Sequence, residues 1–409
     1  MMRLLSVFLV SVCCFCSVSL AWEEKDQAAY EKKFLEAYPR ANPIPTLDAY
    51  LDLKSFNQNY LGDGYVKSLE GLNNDEAAIA WGTSYQMMAY NELYRATGND
   101  DYLRTQKKVI DVVMAARDDK RKVALFTGEV APIWSSVKYS ERGRCAYAVH
   151  TGIITYPMYD FLLLIKDKTA LQAEIGLDYK SLLSLLEESL NFHKIQWVNG
   201  PGEGEGYYLA RNQEPILDGK ALPINRLAAM GRSLWISWKI TGNTEHRDMA
   251  TGIGRFFKNR LSRQTDCDAY VWNYMFDPDF TPVEGDSKTI KEKIGRGEDI
   301  SHGSLSMSLP AMLAEDGQVF DATDMARFGR TLTCLIAPKS DGILRSHLDG
   351  DPEANPDKGL LATPGRWLRL TPFLPEVYGR IVAFELNFEP TPGGIDLALL
   401  TLYRKVGGN

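Results

Sequence analysis

The chain has 409 residues, 45% of them hydrophobic, and a net charge of −7 at neutral pH. A chain of this length can bury a large core without disulfide staples, and its basic residues are scattered rather than grouped in runs. The composition therefore gives no electrostatic footprint for nucleic acid, which we do not expect as a partner. An acidic polymer is not excluded, because arginines and lysines lining a cleft can outweigh the total charge locally.

Residues 1–21 have the pattern of a signal peptide. An apolar run from Leu4 to Leu20 follows a basic start and ends in the small residue Ala21, before acidic residues. A membrane anchor is the alternative, but the run is short for a bilayer of about 30 Å. A lipid anchor is weaker still, because none of the leader cysteines follows a small residue. We predict cleavage after Ala21, a secreted or periplasmic location, and no stable membrane insertion of the cleaved chain.

The cleaved chain, residues 22–409, is predicted to be a single domain with no cofactor. Its three cysteines, Cys145, Cys267 and Cys334, are an odd and widely spaced set, from which no disulfide framework or thiolate metal cluster can be derived. Histidines and acids are present as possible ligands, but no compact His-x-x-x-His is found, so no metal site is predicted.

Two helical hairpins with the same turn stand out along the chain. The sequences Arg-Ala-Thr-Gly-Asn and Lys-Ile-Thr-Gly-Asn each end one amphipathic segment, and a second segment follows, over Asp101 to Arg117 and over Glu245 to Leu261. A short helix is predicted near Thr46 to Leu61. Looser pairs are predicted at Tyr147 to Lys166 with Tyr179 to Trp197, Ser301 to Ala314 with Asp321 to Leu335, and Arg366 to Phe384 with Ile395 to Val406.

These hairpins recur at intervals of roughly sixty to eighty residues, longer than common solenoid repeats. The long insertions between them favour an all-α fold, an (α/α) toroid that forms an incomplete or closed barrel of about five to seven helical hairpins. In such a ring, loops at the ends of the inner helices build a cleft. Two segments rich in glycine, proline and charge, Gly200 to Pro223 and Asp277 to Gly297, are interpreted as cleft loops.

Aligning the hairpins on one another places four side chains at equivalent positions. Counting back sixteen residues from the ends of the inner helices reaches Trp81, His150, Asn225 and a position beside His302. We therefore predict that these residues lie near the starts of inner helices and converge at one end of the toroid.

The densest cluster of reactive side chains surrounds His302. Glu298, Asp299 and His302 lie at a predicted helix start, where backbone N–H groups favour anions. If Asp299 or Ser301 is the N-cap, Glu298 and His302 can face one cavity. The alternative is that the two acids only cap the helix while His302 satisfies a buried carbonyl.

A second cluster has a similar layout, with Arg144 and Tyr147 before His150. A third element, Asn225-Arg226, either contacts a substrate or is a loop with a capping asparagine. Aromatic side chains such as Trp81 and Trp272 can stack on sugar rings, although most aromatics in such helices belong to the core.

The helix-pair pattern, the sequence Tyr270-x-Trp272-x-Tyr274 and the run Glu298-Asp299-x-x-His302-Gly303 resemble the α/α-toroid polysaccharide lyases and glucuronyl-epimerase-like proteins, which act on uronic acid polymers. The resemblance implies an acidic polysaccharide or oligosaccharide substrate, cleaved by β-elimination. A lyase neutralises the sugar carboxylate, removes the neighbouring proton and protonates the leaving oxygen. The expected catalytic residues are His150, Asn225, Tyr274, Glu298 and His302, with Glu298 orienting His302. The expected substrate-binding residues are Trp81, Arg144, Tyr147, Arg226, Trp272 and Asp299.

Two other functions fit the same residues. A glycoside hydrolase on the same scaffold would use Glu298 or Asp299 as one of its paired carboxylates. A non-catalytic glycan-binding protein would keep its sugar affinity when His150 and His302 are replaced. Only a lyase leaves an unsaturated product that absorbs in the ultraviolet.

Overall fold

The computed structural model describes residues 24–37, 46–211, 219–276, 297–340, 342–350, 364–388 and 393–407. The predicted signal peptide, almost all of the proposed cleft loop Asp277 to Gly297 and residues 212–218 of the other loop lie outside these ranges, so those predictions remain predictions.

The described chain is mostly helical, with two short antiparallel β-hairpins. The first half contains the α-helices α1 (Glu24–Ala37), α2 (Leu47–Tyr50), α3 (Leu53–Tyr60), α4 (Asp63–Ser68), α5 (Ser84–Thr97), α6 (Asp101–Ala115), α7 (Asp118–Arg121), α8 (Ala148–Ile165), α9 (Thr169–Glu174) and α10 (Tyr179–Phe192). The second half contains α11 (Ile224–Thr241), α12 (Thr244–Lys258), α13 (Ile300–Ser306), α14 (Ser308–Glu315), α15 (Ala322–Arg330), α16 (Glu376–Phe388) and α17 (Gly394–Gly407). Strands β1 (Trp197–Asn199) and β2 (Gly206–Tyr208) pair, as do β3 (Ser262–Gln264) and β4 (Ala269–Val271). Two 3₁₀ helices (His193–Gln196, Pro364–Leu370) and two π-helical turns (Ile79–Thr83, Thr331–Ile336) complete the helical segments.

The two hairpins predicted from their shared turn are confirmed. Helices α5 and α11 end at Gly98 and Gly242, whose φ angles of 71° and 75° are in the left-handed region that glycine adopts without strain. Each glycine N–H then donates to a carbonyl of the last turn, at Tyr94 and Trp238. The partner helices α6 and α12 follow at once and pack against α5 and α11.

The inner helices form a closed ring. Helix α5 packs on α8, α8 on α11, α11 on α13 and α14, α13 on the 3₁₀ helix Pro364–Leu370, that helix on α17, and α17 back on α5. Outside them lie α6, α10, α12, α15 and α16, each against its inner neighbour. The described residues therefore form the predicted α/α toroid, with six inner segments.

The inner helices all run the same way through the ring. Residues from the C-terminal halves of α5, α8, α11, α14 and α17 line one cavity of about 230 Å³. Their N-terminal ends must therefore meet at the opposite end of the ring, called the N-terminal end below. Trp81 lies in the π-helical turn before α5, His150 and His302 are the third residues of α8 and α13, and Asn225 is the second residue of α11, which confirms the predicted alignment.

The segment predicted as one helix over Arg366 to Phe384 is instead two elements. A 3₁₀ helix ends at Leu370, and α16 begins at Glu376. Pro372 and Pro375 lie between them, and proline cannot donate the backbone hydrogen bonds of a continuous helix. The inner position is held by the 3₁₀ helix, and the outer position by α16.

One disulfide, Cys267–Cys334, links the β3–β4 turn to the π-helical turn after α15, with 6.5 Å between the Cα atoms. The sequence did not predict this disulfide, because 67 residues separate the two cysteines. Cys145 is buried, and its Sγ donates to the Gly143 carbonyl at 3.4 Å.

Helix α8 is long and apolar enough to cross a membrane by length and composition. Of its 18 residues, 89% are buried inside the protein, because it is the helix that α5 and α11 flank in the ring. Its apolar character is accounted for by the core.

Candidate active site

His302 and Asp299 form a hydrogen-bonded pair at the start of α13. Of the two N-cap candidates, Asp299 and Ser301, the N-cap is Asp299: its Oδ1 accepts from the His302 N–H at 3.0 Å, while its Oδ2 lies 2.5 Å from His302 Nδ1. The carboxylate is buried, whereas the histidine side chain is 30% exposed. A carboxylate at Nδ1 holds the ring proton there and leaves Nε2 as an acceptor directed away from it.

Glu298 does not orient His302, so that part of the prediction is wrong. Its side chain is fully buried, and its Oε2 accepts from Trp272 Nε1 at 2.5 Å and from Ser306 Oγ at 2.6 Å. The reason is the extended backbone before α13, where Glu298 pairs with Trp272 on one side and with Leu348 on the other. Consecutive side chains of an extended segment point to opposite sides, so Asp299 faces His302 and Glu298 faces the core.

Trp272 is also a core residue and not a stacking platform for sugar. Its ring is 2% exposed and packs against Phe257, Phe328 and Trp367. Tyr274, two residues further, is placed differently: its ring stands edge-on to His302, with 5.2 Å between ring centroids. Of the aromatic pattern at 270–274, only Tyr274 therefore contacts the His302 pair.

His150 lies at the start of α8 in an aromatic pocket. Trp81, Tyr139 and Tyr147 surround its ring, with centroid distances of 5.6, 5.8 and 5.1 Å. The imidazole is only 1% exposed, whereas Trp81 is 37% exposed. Trp81 therefore covers His150 from the solvent side and offers the surface predicted for sugar stacking.

The tautomer of His150 is assigned by Asn74. The Asn74 Oδ1 accepts from the Ala80 N–H, and its Nδ2 donates to the Trp134 carbonyl at 2.8 Å and faces His150 Nδ1 at 3.1 Å. Because an amide N–H faces Nδ1, this nitrogen accepts and the ring proton lies on Nε2. Nε2 is buried and has no hydrogen-bond partner. His150 is thus a hydrogen-bond donor at Nε2, which does not fit the role of a catalytic base.

Burial and, to a smaller extent, the positive charges of Arg226 and Lys138 lower the pKa of His150 to about 3. Burial also lowers the pKa of His193 to about 4. Both imidazoles are neutral in the folded chain at any physiological pH.

Stability is expected to fall as the pH drops from 7 to 4.5. Both folded pKa values lie below the value of about 6.5 for an unfolded histidine, so the unfolded chain binds more protons in this range. At pH 4.5, about two units below the unfolded value, each buried histidine costs about 3 kcal/mol of unfolding free energy. Urea unfolding at both pH values measures this loss of unfolding free energy. In His150→Gln only His193 still contributes, so the part of the loss that comes from the two histidines should be about halved. An equal loss in both proteins would contradict the burial of a neutral His150.

Asn225 and Arg226 open α11 between the two histidine-bearing helices. Asn225 is 2% exposed, and its Oδ1 is buried without a hydrogen-bond partner. It is not an N-cap, since Pro223 holds that position, so the capping alternative is excluded. The positive charge of Arg226 lowers the pKa of His150. The N-terminal ends of α8 and α11 therefore lie close together.

Arg144 and Tyr147 are less available than predicted. Arg144 Nη1 bonds the Asp75 carboxylate at 2.8 Å, and Arg121 bonds the same oxygen at 3.0 Å. These two arginines hold the pKa of Asp75 down to about 2. An arginine paired in this way braces the loop, so we correct the prediction that Arg144 binds a substrate carboxylate. Tyr147 is 2% exposed and packs against His150, which makes it a supporting residue.

Sequence reasoning missed Asn74, Tyr139 and Lys138. Asn74 lies in the loop before α5, 76 residues from His150, and nothing in the local sequence links the two. Lys138 and Tyr139 stand side by side, with the ammonium 5.6 Å from the ring centroid. The described residues contain no group of three or more His, Cys, Asp or Glu side chains arranged to hold a metal ion.

No protein-family model matches the chain, and no curated protein matches it in sequence. Solved structures do share its overall shape. An α-1,6-mannanase from Salegentibacter sp. is 11% identical over 94% of this chain and 98% of its own, with a TM-score of 0.47. A D-mannose isomerase is 10% identical over 95% of this chain and 98% of its own, with a TM-score of 0.48.

A sugar epimerase from a ruminal bacterium is 12% identical over 79% of this chain and 86% of its own, with a TM-score of 0.49. Similarity at this level says nothing about substrate or reaction.

Proposed function

We propose that the protein is a carbohydrate-active enzyme in which His302, oriented by Asp299, removes a proton from a sugar. The observation that carries this proposal is the contact of 2.5 Å between His302 Nδ1 and Asp299 Oδ2 beside a partly exposed imidazole. A carboxylate that holds Nδ1–H makes Nε2 the basic atom and stabilises the imidazolium that forms when Nε2 takes a proton.

The two histidines at the N-terminal end are held in opposite tautomers. Asp299 makes His302 an acceptor at Nε2, and Asn74 makes His150 a donor at Nε2. A reaction that removes a proton at one atom and stabilises negative charge at another needs one group that accepts a proton and one that donates a hydrogen bond. The neutral His150 suits the second task, because a charged imidazole would cost free energy in that buried position.

The substrate we favour is a uronate-containing polysaccharide, cleaved by β-elimination. Arg226 and Lys138 lie close enough to His150 for their positive charges to lower its pKa. This part of the site therefore attracts an anion. In the reaction, His302 takes the proton on the carbon beside the carboxylate, electrons form a carbon–carbon double bond, and the bond to the glycosidic oxygen breaks. Asn225 and Arg226 are the candidates to bind the carboxylate, and Tyr274 is the candidate acid for the leaving oxygen.

Hydrolysis is the second candidate, because Glu298 and Asp299 are adjacent carboxylates at the same helix start. A hydrolase needs two carboxyl groups on either side of the glycosidic bond. Glu298 is fully buried against Trp272 and Ser306, and Asp299 is engaged by His302. The geometry therefore favours proton transfer by histidine.

One assay separates these reactions. The purified protein is incubated with polymers of glucuronate, mannuronate and galacturonate, and with α-1,6-mannan, the polymer named for one of the proteins of similar shape. We expect new reducing ends together with ultraviolet absorbance on at least one uronate polymer. Reducing ends without absorbance would replace the lyase by a hydrolase. Binding without turnover on any polymer would replace the enzyme by a glycan-binding protein.

A further inference from the structure

Arg232 lies in the middle of α11, on the axis of the ring, and is unusually placed for a charged residue. The side chain is 3% exposed, and its Nε and Nη2 are buried without a hydrogen-bond partner. The guanidinium stacks on the face of Tyr156, with its central carbon 4.1 Å from the ring centroid. A cation–π contact compensates only part of the solvation that a buried guanidinium loses.

Two more arginines come from the 3₁₀ helix on the other side of the axis. Arg366 stacks on Tyr85 with its guanidinium carbon 3.8 Å from the ring centroid, and its Nε is also buried without a partner. Arg369 bonds Glu92 at 2.7 Å. That carboxylate is shared with Arg95, which also pairs with Asp160. Glu92 and Asp160 are therefore already paired with arginines, whereas Arg232 Nε and Nη2 and Arg366 Nε have no hydrogen-bond partner.

These side chains surround a small cavity of about 20 Å³ inside the ring. Its lining includes Arg232, Arg366, Arg369, Tyr85, Ser304 and Ser308. The volume accommodates one water-sized particle and excludes a phosphate or a sugar. Burial lowers the pKa of Arg232 to about 10, so the side chain still carries its charge at neutral pH.

We propose that this axial cavity is a binding site for a single small monovalent anion, of the size of chloride, held between Arg232 and Arg366. The anion supplies the negative charge that the surrounding side chains lack, and it accepts from the N–H groups left without partners. The site is separate from the Asp299–His302 pair, and the inference does not depend on the proposed reaction.

The test is the dependence of thermal stability on chloride at constant ionic strength. The protein is exchanged into sodium gluconate, and gluconate is then replaced stepwise by chloride. We expect the Tm to rise and saturate, as for a ligand that binds only the folded chain. Bromide should substitute, and crystals soaked in bromide should show one anomalous peak between Arg232 and Arg366.

The matched variants are Arg232→Met and Arg380→Met. Arg380 is also buried, at 2% exposure, and also stacks on a tyrosine, with 4.2 Å to the Tyr30 ring centroid, but it pairs with Glu376 and lies outside the cavity. We expect Arg232→Met to abolish the chloride response and to be at least as stable as the parent protein in gluconate. Arg380→Met should lower the Tm and keep the response.

If Arg232→Met fails to fold, Arg366→Met and the bromide peak in the parent protein decide the question. A Tm that does not change with chloride, or a chloride response that survives both Arg232→Met and Arg366→Met, would overturn the proposal.

Discussion

Replacing Asp299 by asparagine is expected to lower turnover roughly 10³- to 10⁴-fold, the size of effect seen when a catalytic histidine is held in the wrong tautomer. Asparagine keeps the oxygen that accepts from the His302 N–H, so the cap of α13 is retained. Its amide N–H then faces His302 Nδ1, and the imidazole takes the tautomer that Asn74 imposes on His150. The basic nitrogen is lost while the fold is kept.

Asp321→Asn is the matched control. Asp321 is the N-cap of the outer helix α15, where its side chain accepts from the Asp324 N–H and touches no histidine. Both variants should unfold within about 0.5 kcal/mol of the parent protein, because asparagine and aspartate cap almost equally well. Turnover is measured on the polymer that is positive in the assay of reducing ends and absorbance. Equal turnover in the two variants would remove Asp299 from the mechanism.

The fold could be predicted from the sequence because its signals are local. The Thr-Gly-Asn turns, the apolar periodicity and the sixteen-residue alignment each lie within one hairpin, and they placed His150, Asn225 and His302 at helix starts as the structure does. Closure of the ring follows when such hairpins are repeated, because each inner helix has an apolar surface that its neighbours cover. The helix pattern alone therefore positions the site.

The partners inside the site could not be predicted, because they depend on contacts between distant segments. In the sequence either Glu298 or Asp299 could face His302, and the pairing of Glu298 with Trp272 and Leu348 determines which one does. Arg144 looked available for a substrate in the sequence, but Asp75, 69 residues away, binds it in the structure. A spacing pattern contains no information about such pairs.

The unusual position of Arg232 could have been recognised from the sequence. It stands among Met230, Gly231 and Leu234 in a helix that is buried on all sides, and a charge in such a position needs an explanation. In the structure it faces the axis of the ring, where the neighbouring arginines increase the positive charge.

Replacing Gly152 by alanine is expected to destabilise the protein by about 3 kcal/mol or more, at the upper end of the cost of overpacking. Gly152 lies where α8 and α11 meet backbone to backbone. A Cβ atom there would stand 2.5 Å from the Ala229 carbonyl carbon and the Met230 nitrogen. The Gly152 carbonyl also accepts from Ser233 Oγ at 2.8 Å, so the two helices cannot separate without losing that bond.

Gly64→Ala is the control with the opposite sign. Gly64 lies in the exposed helix α4, and a Cβ atom added there would have no heavy atom within 4 Å. Alanine at this position should stabilise the protein by about 0.5–1 kcal/mol, because helical glycine loses more chain entropy on folding. Urea unfolding measures both variants. Because α8 carries His150 and α11 carries Asn225, a shift of either helix separates the starts of the two, so Gly152→Ala should also lose turnover even under conditions where it is fully folded. A Gly152→Ala protein as stable and as active as Gly64→Ala would mean that these two helices do not set the geometry of the site.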